Sequence, residues 1–183
     1  TFYFTGISLA ILEPYERTLF WQLLQRMKNS GIQIVFDSNY RTKLWSDKKE
    51  AITQFEQAFS YSDLVFAGME DFQLLYGFNK YDELIDYLIP FKINEIIIKN
   101  GDEAALSISS IGNIYQPIVK VSKVVDSTSA GDSFNAGFIA AKNKGLPSKQ
   151  AMQYASKLSA IVIQHHGAII DPEICHQFLQ TEN

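Results

Sequence analysis

The sequence predicts an α/β protein, a three-layer α/β/α sandwich around a mainly parallel sheet. Short β-like apolar runs alternate along the chain with longer stretches of helical periodicity. Continuous apolar runs such as Ile96-Ile97-Ile98 are typical of strands covered on both faces, as in parallel sheets. Strands that alternate with helices form βαβ units with right-handed crossovers, which place helices against the sheet.

The strands are predicted from these short apolar runs. They cover residues 2–7, 32–37, 64–67, 95–99, 104–109 and 114–116. Gly112-Asn113 stands between the last two runs and indicates a hairpin, so some antiparallel pairing is expected at one edge of the sheet.

The helices are predicted from apolar residues at helical spacing. The first covers 19–29 and is followed by Gly31, a residue type that commonly ends helices. Further helices are predicted over 47–59, 69–76, 81–88 and 148–164, with a last short helix from Pro172. From Gly131 onward the chain is mostly helical, and no repeat or linker divides it, so residues 1–183 are expected to belong to one domain.

Composition excludes several classes of protein. The chain has 183 residues, 46% of them hydrophobic, which is enough for a compact core. A net charge of −4 with scattered basic residues argues against nucleic-acid and membrane-surface binding. The single cysteine, Cys175, excludes an internal disulfide framework and suits the reducing cytoplasm. No apolar run approaches the roughly 20 residues of a membrane span.

The chain starts without Met, inside the predicted strand at residues 2–7. A chain that opens in a core strand is expected to be the C-terminal portion of a longer domain. The preceding portion would then contribute to any active site.

Three polar clusters follow predicted strands or precede a helix: residues 37–41, 99–102 and 126–132. Open α/β sheets bind ligands beyond the carboxyl ends of their strands, so these clusters are the candidate site. In the third, small residues and Gly131 form a turn before an apolar helical pattern, with Asp132 at its end. Free amides at a helix N-terminus bind anions, and Asp132 could accept a proton from a hydroxyl. Alternatively, Asp132 or Ser133 only caps the helix.

In the first cluster Asp37, Asn39 and Arg41 alternate, so they would share a face if the strand continued. An arginine there can bind a carboxylate in a bidentate manner, or form a structural salt bridge with Asp37. Glu70 either holds a metal ion through water or complements a helix dipole. Adjacent histidines such as His165 and His166 are not expected to ligate one metal.

The run Asp126-Ser127-Thr128-Ser129-Ala130-Gly131-Asp132-Ser133-Phe134 closely resembles the C-terminal signature of the ribokinase-like (PfkB) sugar kinases. The resemblance implies a ribokinase-like fold and an enzyme that uses ATP and Mg²⁺. It implies an anion hole formed by Ala130, Gly131 and Asp132, with Asp132 as catalytic base. It also implies nucleotide-binding roles for Lys99, Gly101, Ser129, Gly131 and Gly167, because Lys99-Asn100-Gly101 and His166-Gly167-Ala168 are similar to nucleotide-side segments of the family.

Residues 4–10 and 37–45 look like the corresponding parts of the 2-keto-3-deoxygluconate kinase branch, although fructokinases share much of the second segment. This implies that Arg41, with Asn39, faces an acid substrate. Two positions depart from the family pattern: Ala67 stands where Asn is expected before Glu70, and Ala104 where a second glycine is frequent.

The predicted function is ATP-dependent phosphorylation of a sugar acid. The alternatives are a fructokinase- or ribokinase-type kinase of neutral sugars, a nucleoside or vitamin kinase, and a nucleotide-binding module that is inactive as this fragment. Small-molecule partners are expected, and a homodimer of the full-length protein is a further possibility that the resemblance implies.

Overall fold

The computed structural model describes residues 1–175. The strands are β1 (Phe2–Thr5), β2 (Ile34–Asp37), β3 (Leu64–Gly68), β4 (Glu95–Lys99), β5 (Ala104–Ser109) and β6 (Gly112–Pro117). The α-helices are α1 (Gly6–Ala10), α2 (Pro14–Asn29), α3 (Lys48–Tyr61), α4 (Met69–Tyr76), α5 (Tyr81–Leu88), α6 (Ala130–Asn143) and α7 (Ser148–Val162). Residues 172–175 are also helical, and the rest of the predicted last helix lies outside the described residues.

The strands form one sheet in the order β1-β2-β3-β4-β5-β6. The first four are parallel, with Thr5 opposite Asp37, Asp37 opposite Phe66, and Gly68 opposite Lys99. Only four residues join β4 to β5 and two join β5 to β6. Connections this short permit antiparallel pairing alone. The predicted fold class is confirmed, including the hairpin at the edge of the sheet.

The chain divides into two compact units. Unit 1 comprises Thr1–Gly101 and Leu106–Asn113, and unit 2 comprises Asp102–Ala105 and the chain from Ile114 onward. The sequence shows no linker at this division, because the boundary falls within β5 and β6 rather than between separate elements.

Unit 1 has a core rich in aromatic side chains. Phe4 and Phe36 project from one face of the sheet and pack against Phe55 and Phe59 of α3 and Trp21 of α2. The opposite face is buried as well, since Val35, Phe66 and Ile97 have no exposed surface. Burial on both faces is what the uninterrupted apolar runs predict, and it gives the sheet a layer on each side.

The structure corrects two helix boundaries. Residues 6 and 7, predicted as strand, begin α1, because the Thr5 hydroxyl accepts a hydrogen bond from the Ser8 amide (3.2 Å) and caps the helix. The helix predicted to begin at residue 19 begins at Pro14, whose fixed φ suits a first helical turn.

Unit 2 is built on the close approach of α6 and α7. A Cβ on Gly137 would lie only 2.9 Å from the Cα of Ala155, so the glycine lets the two helices meet at their backbones. The Ser159 hydroxyl donates to the Ala130 carbonyl oxygen (2.9 Å). This bond ties α7 to the first residue of α6 and fixes the start of that helix.

Within residues 1–175, the helices are either too short or too polar to cross a bilayer.

Candidate functional site

In unit 1, the carboxyl end of β2 carries Asp37, whose side chain is bonded on both oxygens. Tyr3 Oη donates to Oδ2 (3.2 Å), and Lys99 Nζ forms an ion pair with Oδ1 (3.2 Å). The Lys99 ammonium also lies 5.5 Å from the ring centre of Phe66. Asp37 is nearly fully buried, so an ionised carboxylate there requires such a partner. Tyr3, which the sequence analysis did not single out, belongs to this cluster.

Ser38 connects the end of β2 to the first turn of α4. Its hydroxyl accepts a hydrogen bond from the Gly68 amide (3.0 Å) and donates to Asp71 Oδ2 (2.6 Å). Burial raises the pKa of the Asp71 carboxyl above its ordinary value, although the hydrogen bond from Ser38 acts in the opposite direction. Asp71 was missed because it is one of two adjacent acids, and only the helix phase decides which of them contacts Ser38.

Arg41 is exposed, and its Nη1 donates to the carbonyl oxygen of Tyr40 (3.1 Å). No carboxylate among residues 1–175 lies within ion-pair distance of Arg41. Asp37, the alternative partner considered for Arg41, pairs with Lys99 instead. The structure also corrects the predicted alternation: β2 ends at Asp37, and Asn39 has a φ of +27°. Asp37, Asn39 and Arg41 therefore do not continue along one strand face.

Glu70 is exposed in the first turn of α4, with Asp71 next to it. The described part of the chain contains no cluster of three or more potential metal ligands. Mg²⁺ in nucleotide sites is usually held by one or two carboxylates together with phosphate oxygens and water. The exposed carboxylate of Glu70 fits a magnesium ion held in this way, whereas the carboxylate of Asp71 is bonded to Ser38.

Gly101 follows β4 with a φ of +54°, and a Cβ there would meet no atom within 4 Å. The positive φ, rather than close packing against other residues of the protein, therefore explains why a glycine stands at position 101.

In unit 2, Asp126 holds the loop that precedes α6. Its two carboxylate oxygens accept hydrogen bonds from the amides of Thr128 (2.8 Å) and Gly167 (3.0 Å). Hydrogen bonds lower the pKa of Asp126 to about 2: the largest contribution comes from the Thr128 side chain, followed by the amides of Thr128 and Gly167. The structure thus brings the predicted loop and the predicted Gly167 together.

In the part of the chain that the structure describes, several polar groups of the first turn of α6 have no partner. Ser129 occupies the cap position in a left-handed conformation (φ +65°) and makes no side-chain cap bond. The Ala130 amide donates to the Ser127 carbonyl oxygen (3.1 Å), but the amides of Gly131 and Asp132 have no acceptor among residues 1–175. Of the three residues predicted to form an anion hole, Gly131 and Asp132 therefore have free amides and Ala130 does not.

Asp132 lies in the first turn of α6, with an exposed carboxylate that accepts no hydrogen bond within the described residues. Neither Asp132 nor Ser133 occupies the cap position, and the Ser133 hydroxyl donates to the Ser129 carbonyl oxygen (2.7 Å). At the positive end of a helix, the two free amides can bind an anion, and the free carboxylate beside them can accept a proton.

The structure gives His165 a contact inside the protein. Its Nδ1 lies 2.9 Å from the Ile161 carbonyl oxygen, which occupies that nitrogen.

These features can be compared with known proteins. The profile of the pfkB family carbohydrate kinases matches residues 1–175. The chain belongs to this family. The resemblance of the loop at residues 126–134 to the signature of pfkB kinases is thereby confirmed as a family relationship.

The pfkB relatives include 2-dehydro-3-deoxygluconokinases. The enzyme of Haemophilus influenzae is 37% identical, over 98% of this chain and 58% of its own length. That of Escherichia coli K12 is 35% identical, over 93% of this chain and 56% of its own length. The chain thus spans little more than half the length of these relatives.

Solved structures agree on the fold. A protein described as a ribokinase II from Escherichia coli, in complex with ATP and Mg²⁺, superposes with a TM-score of 0.82 at 24% identity, covering 98% of this chain and 58% of its own. This similarity supports the ribokinase-like fold.

Proposed function

We propose that the complete protein transfers the γ-phosphoryl group of ATP to a hydroxyl of a sugar acid, 2-keto-3-deoxygluconate (also written 2-dehydro-3-deoxygluconate), and forms its 6-phosphate. Family membership and the two 2-dehydro-3-deoxygluconokinases described above support this proposal. The observation that carries it is the first turn of α6, with its unpaired amides and the exposed Asp132.

The proposed chemistry follows from these groups. Phosphoryl transfer requires positioning and the stabilisation of negative charge on the transferred group. The amides of Gly131 and Asp132 stabilise that charge at the positive end of α6. The Asp132 carboxylate accepts the proton of the attacking hydroxyl while the new O–P bond forms. The bond between the γ-phosphorus and the bridging oxygen breaks, and ADP leaves.

Ser129, Gly131 and Gly167 of unit 2 are proposed to bind the nucleotide, and the Asp126–Gly167 hydrogen bond holds them on adjoining segments. For Lys99 and Gly101 of unit 1, nucleotide-binding roles are proposed from the family resemblance alone. Glu70 is proposed to hold Mg²⁺ through water. When bound, the ion neutralises phosphate charge.

Arg41 is proposed to bind the carboxylate of the substrate, with Asn39 beside it. An exposed guanidinium without a carboxylate partner among the described residues is available for an anionic ligand. Its planar fork can donate two parallel hydrogen bonds to a carboxylate, which a lysine cannot do. A neutral sugar offers no carboxylate, so Arg41 distinguishes the acid-kinase proposal from its neutral-sugar alternative.

The test is an ADP-release assay on the complete protein with ATP, Mg²⁺ and a panel of sugars. We expect the highest kcat/KM with 2-keto-3-deoxygluconate and much lower values with fructose and ribose. A preference for either neutral sugar would contradict the acid assignment while retaining the kinase. ATP binding by calorimetry without turnover of any sugar would indicate a nucleotide-binding module.

A further inference from the structure

A series of hydrogen bonds lies beside the segment that carries Arg41, within unit 1. The Gly68 amide donates to Ser38 Oγ, and this hydroxyl donates its single hydrogen to Asp71 Oδ2. Ser38 has no exposed surface, so its bonding capacity is used inside the protein. The chemistry proposed above uses neither Ser38 nor Asp71.

Two glycines provide the space for this arrangement. A Cβ on Gly68 would lie 2.9 Å from Asp71 Oδ2, and a Cβ on Gly6 would lie 2.2 Å from the carbonyl oxygen of Ser38. Neither glycine has a positive φ. Their small size, rather than their conformational freedom, is therefore what this arrangement requires.

Contacts within unit 1 hold the residues on both sides of a strained residue. Asn39 has a φ of +27°, a region that residues other than glycine rarely adopt. Ser38, on one side of Asn39, is bonded to Asp71 through its hydroxyl. Tyr40, on the other side, is buried and packs its ring against Phe55, with the ring centres 6.1 Å apart. Such strained conformations persist where the surrounding contacts over-determine them.

The same turn sets the position of the guanidinium. Tyr40 is buried, and its carbonyl oxygen accepts the hydrogen bond from Arg41 Nη1 (3.1 Å). The contacts that fix Tyr40 therefore also fix an acceptor of the arginine side chain. If the turn loosens, the guanidinium samples more positions, and ordering it on a ligand costs more conformational entropy.

We propose that Ser38 and Asp71 are positioning residues, which hold the turn at residues 38–41 and thereby place Arg41 to bind the carboxylate of the substrate. This inference rests on the proposed function, since it requires an acidic substrate. The two residues act through Arg41 and do not touch the reacting hydroxyl.

The test is Ser38→Ala in the complete protein, with kcat and KM measured for 2-keto-3-deoxygluconate and for fructose. We expect KM for the acid to rise roughly ten-fold, because small displacements of a binding group are costly. The acid kcat, the fructose KM and the ATP KM stay within about two-fold of wild type, since the chemistry uses other groups. Combined with Arg41→Ala, Ser38→Ala adds nothing further, because both act on one contact.

Ser62→Ala is the matched control. Ser62 is also a buried serine of unit 1, and its hydroxyl donates to the Ala58 carbonyl oxygen (2.7 Å) at the end of α3. We expect this variant to keep the acid KM of wild type. Equal effects of Ser38→Ala and Ser62→Ala, or an effect of Ser38→Ala that adds to that of Arg41→Ala, would overturn the positioning role.

A second pair of variants applies if Ser38→Ala does not fold. Asp71→Ala should raise the acid KM selectively, and Asp71→Asn, which retains an acceptor for Ser38, should restore part of the loss. A fall in kcat on both sugars with unchanged acid KM in Asp71→Ala would overturn the inference. If Arg41→Ala itself leaves the acid KM unchanged, the proposed function fails, which is a different result from failure of Ser38→Ala alone.

Discussion

The strand ends of unit 1 and the loop before α6 in unit 2 differ in how far their polar groups satisfy one another. In unit 1, Asp37 is bonded to Tyr3 and Lys99, and Asp71 is bonded to Ser38. Arg41 lacks an ionic partner among residues 1–175. In unit 2, Asp126 is bonded to two amides, whereas the Asp132 carboxylate and the amides of Gly131 and Asp132 have no partner among residues 1–175.

This difference separates groups that support the structure from groups available to ligands. Two carboxylates support the structure by different means: burial raises the pKa of Asp71, whereas hydrogen bonds lower the pKa of Asp126. Both are committed to the protein. Among residues 1–175, the Arg41 guanidinium has no carboxylate partner, and the Asp132 carboxylate accepts no hydrogen bond. We therefore propose substrate selection for Arg41 and proton transfer for Asp132.

The largest effect is expected for Asp132→Asn in the complete protein. The amide cannot accept the proton of the hydroxyl, so kcat should fall about 10²- to 10⁴-fold. The dissociation constant of ATP, measured by calorimetry, should change little, because the amides of α6 remain. ADP release provides the kcat.

Asp82→Asn is the control for this variant. Asp82 is another exposed aspartate in the first turn of a helix, α5, so the substitution removes the same type of charge from a helix N-terminus. We expect it to leave kcat unchanged. A similar kcat in the Asp132→Asn variant and the wild type would exclude Asp132 as the base.

A smaller effect is expected for Arg41→Ala. A hydrogen bond to a charged group contributes about 1.5–3 kcal/mol, which corresponds to a rise in KM for the acid of roughly 10- to 100-fold. KM for fructose should stay within about two-fold. In Arg41→Lys, KM for the acid should lie between the values of the wild type and Arg41→Ala, because lysine keeps the charge and loses the bidentate geometry.

Lys43→Ala controls for general electrostatics, since Lys43 is exposed and two residues away. If it weakens binding of the acid as much as Arg41→Ala does, long-range charge rather than a carboxylate contact would explain the preference.

The smallest effect is expected for Asp126→Asn, on stability. The folded-state pKa of Asp126 is depressed to about 2 from its ordinary value of 3.8. Its stabilisation is therefore present above about pH 4 and is lost as the pH falls through about 2. We expect the difference in thermal midpoint between wild type and variant to be constant from pH 7 to pH 4 and to disappear near pH 2.

Asp86→Asn, which removes an exposed aspartate of α5, controls for the loss of one charge. A difference for Asp126→Asn that is as large at pH 2 as at pH 7 would show that its ionised carboxylate does not hold the loop.

Much of the fold could be predicted from the sequence, because it depends on local periodicity. The run at 96–98 predicted a strand buried on both faces, and Ile97 has no exposed surface. The start of α2 at Pro14 was missed because its first turn is mostly polar. The boundary at Thr5 was missed because the residues after it are apolar enough to continue a strand.

The site was predictable where a loop carries its own chemistry and not where contacts are long-range. The loop at 126–132 combines small residues with an acid, so it was identified. The partner of Asp71 is Ser38, 33 residues away, and only the assembled sheet shows this contact. The prediction that Asp37, Asn39 and Arg41 share a strand face was wrong, because the positive φ of Asn39 depends on tertiary contacts that a local sequence pattern does not show.

The assignment of chemistry to Asp132 and of selection to Arg41 is tested most directly by one ratio: kcat/KM for 2-keto-3-deoxygluconate divided by kcat/KM for fructose. It is measured in the complete wild-type protein, in Asp132→Asn and in Arg41→Ala. We predict that Asp132→Asn lowers both values and preserves the ratio, whereas Arg41→Ala lowers the ratio at least roughly ten-fold through KM for the acid. A ratio that is unchanged in Arg41→Ala, or that falls in Asp132→Asn, would contradict this assignment.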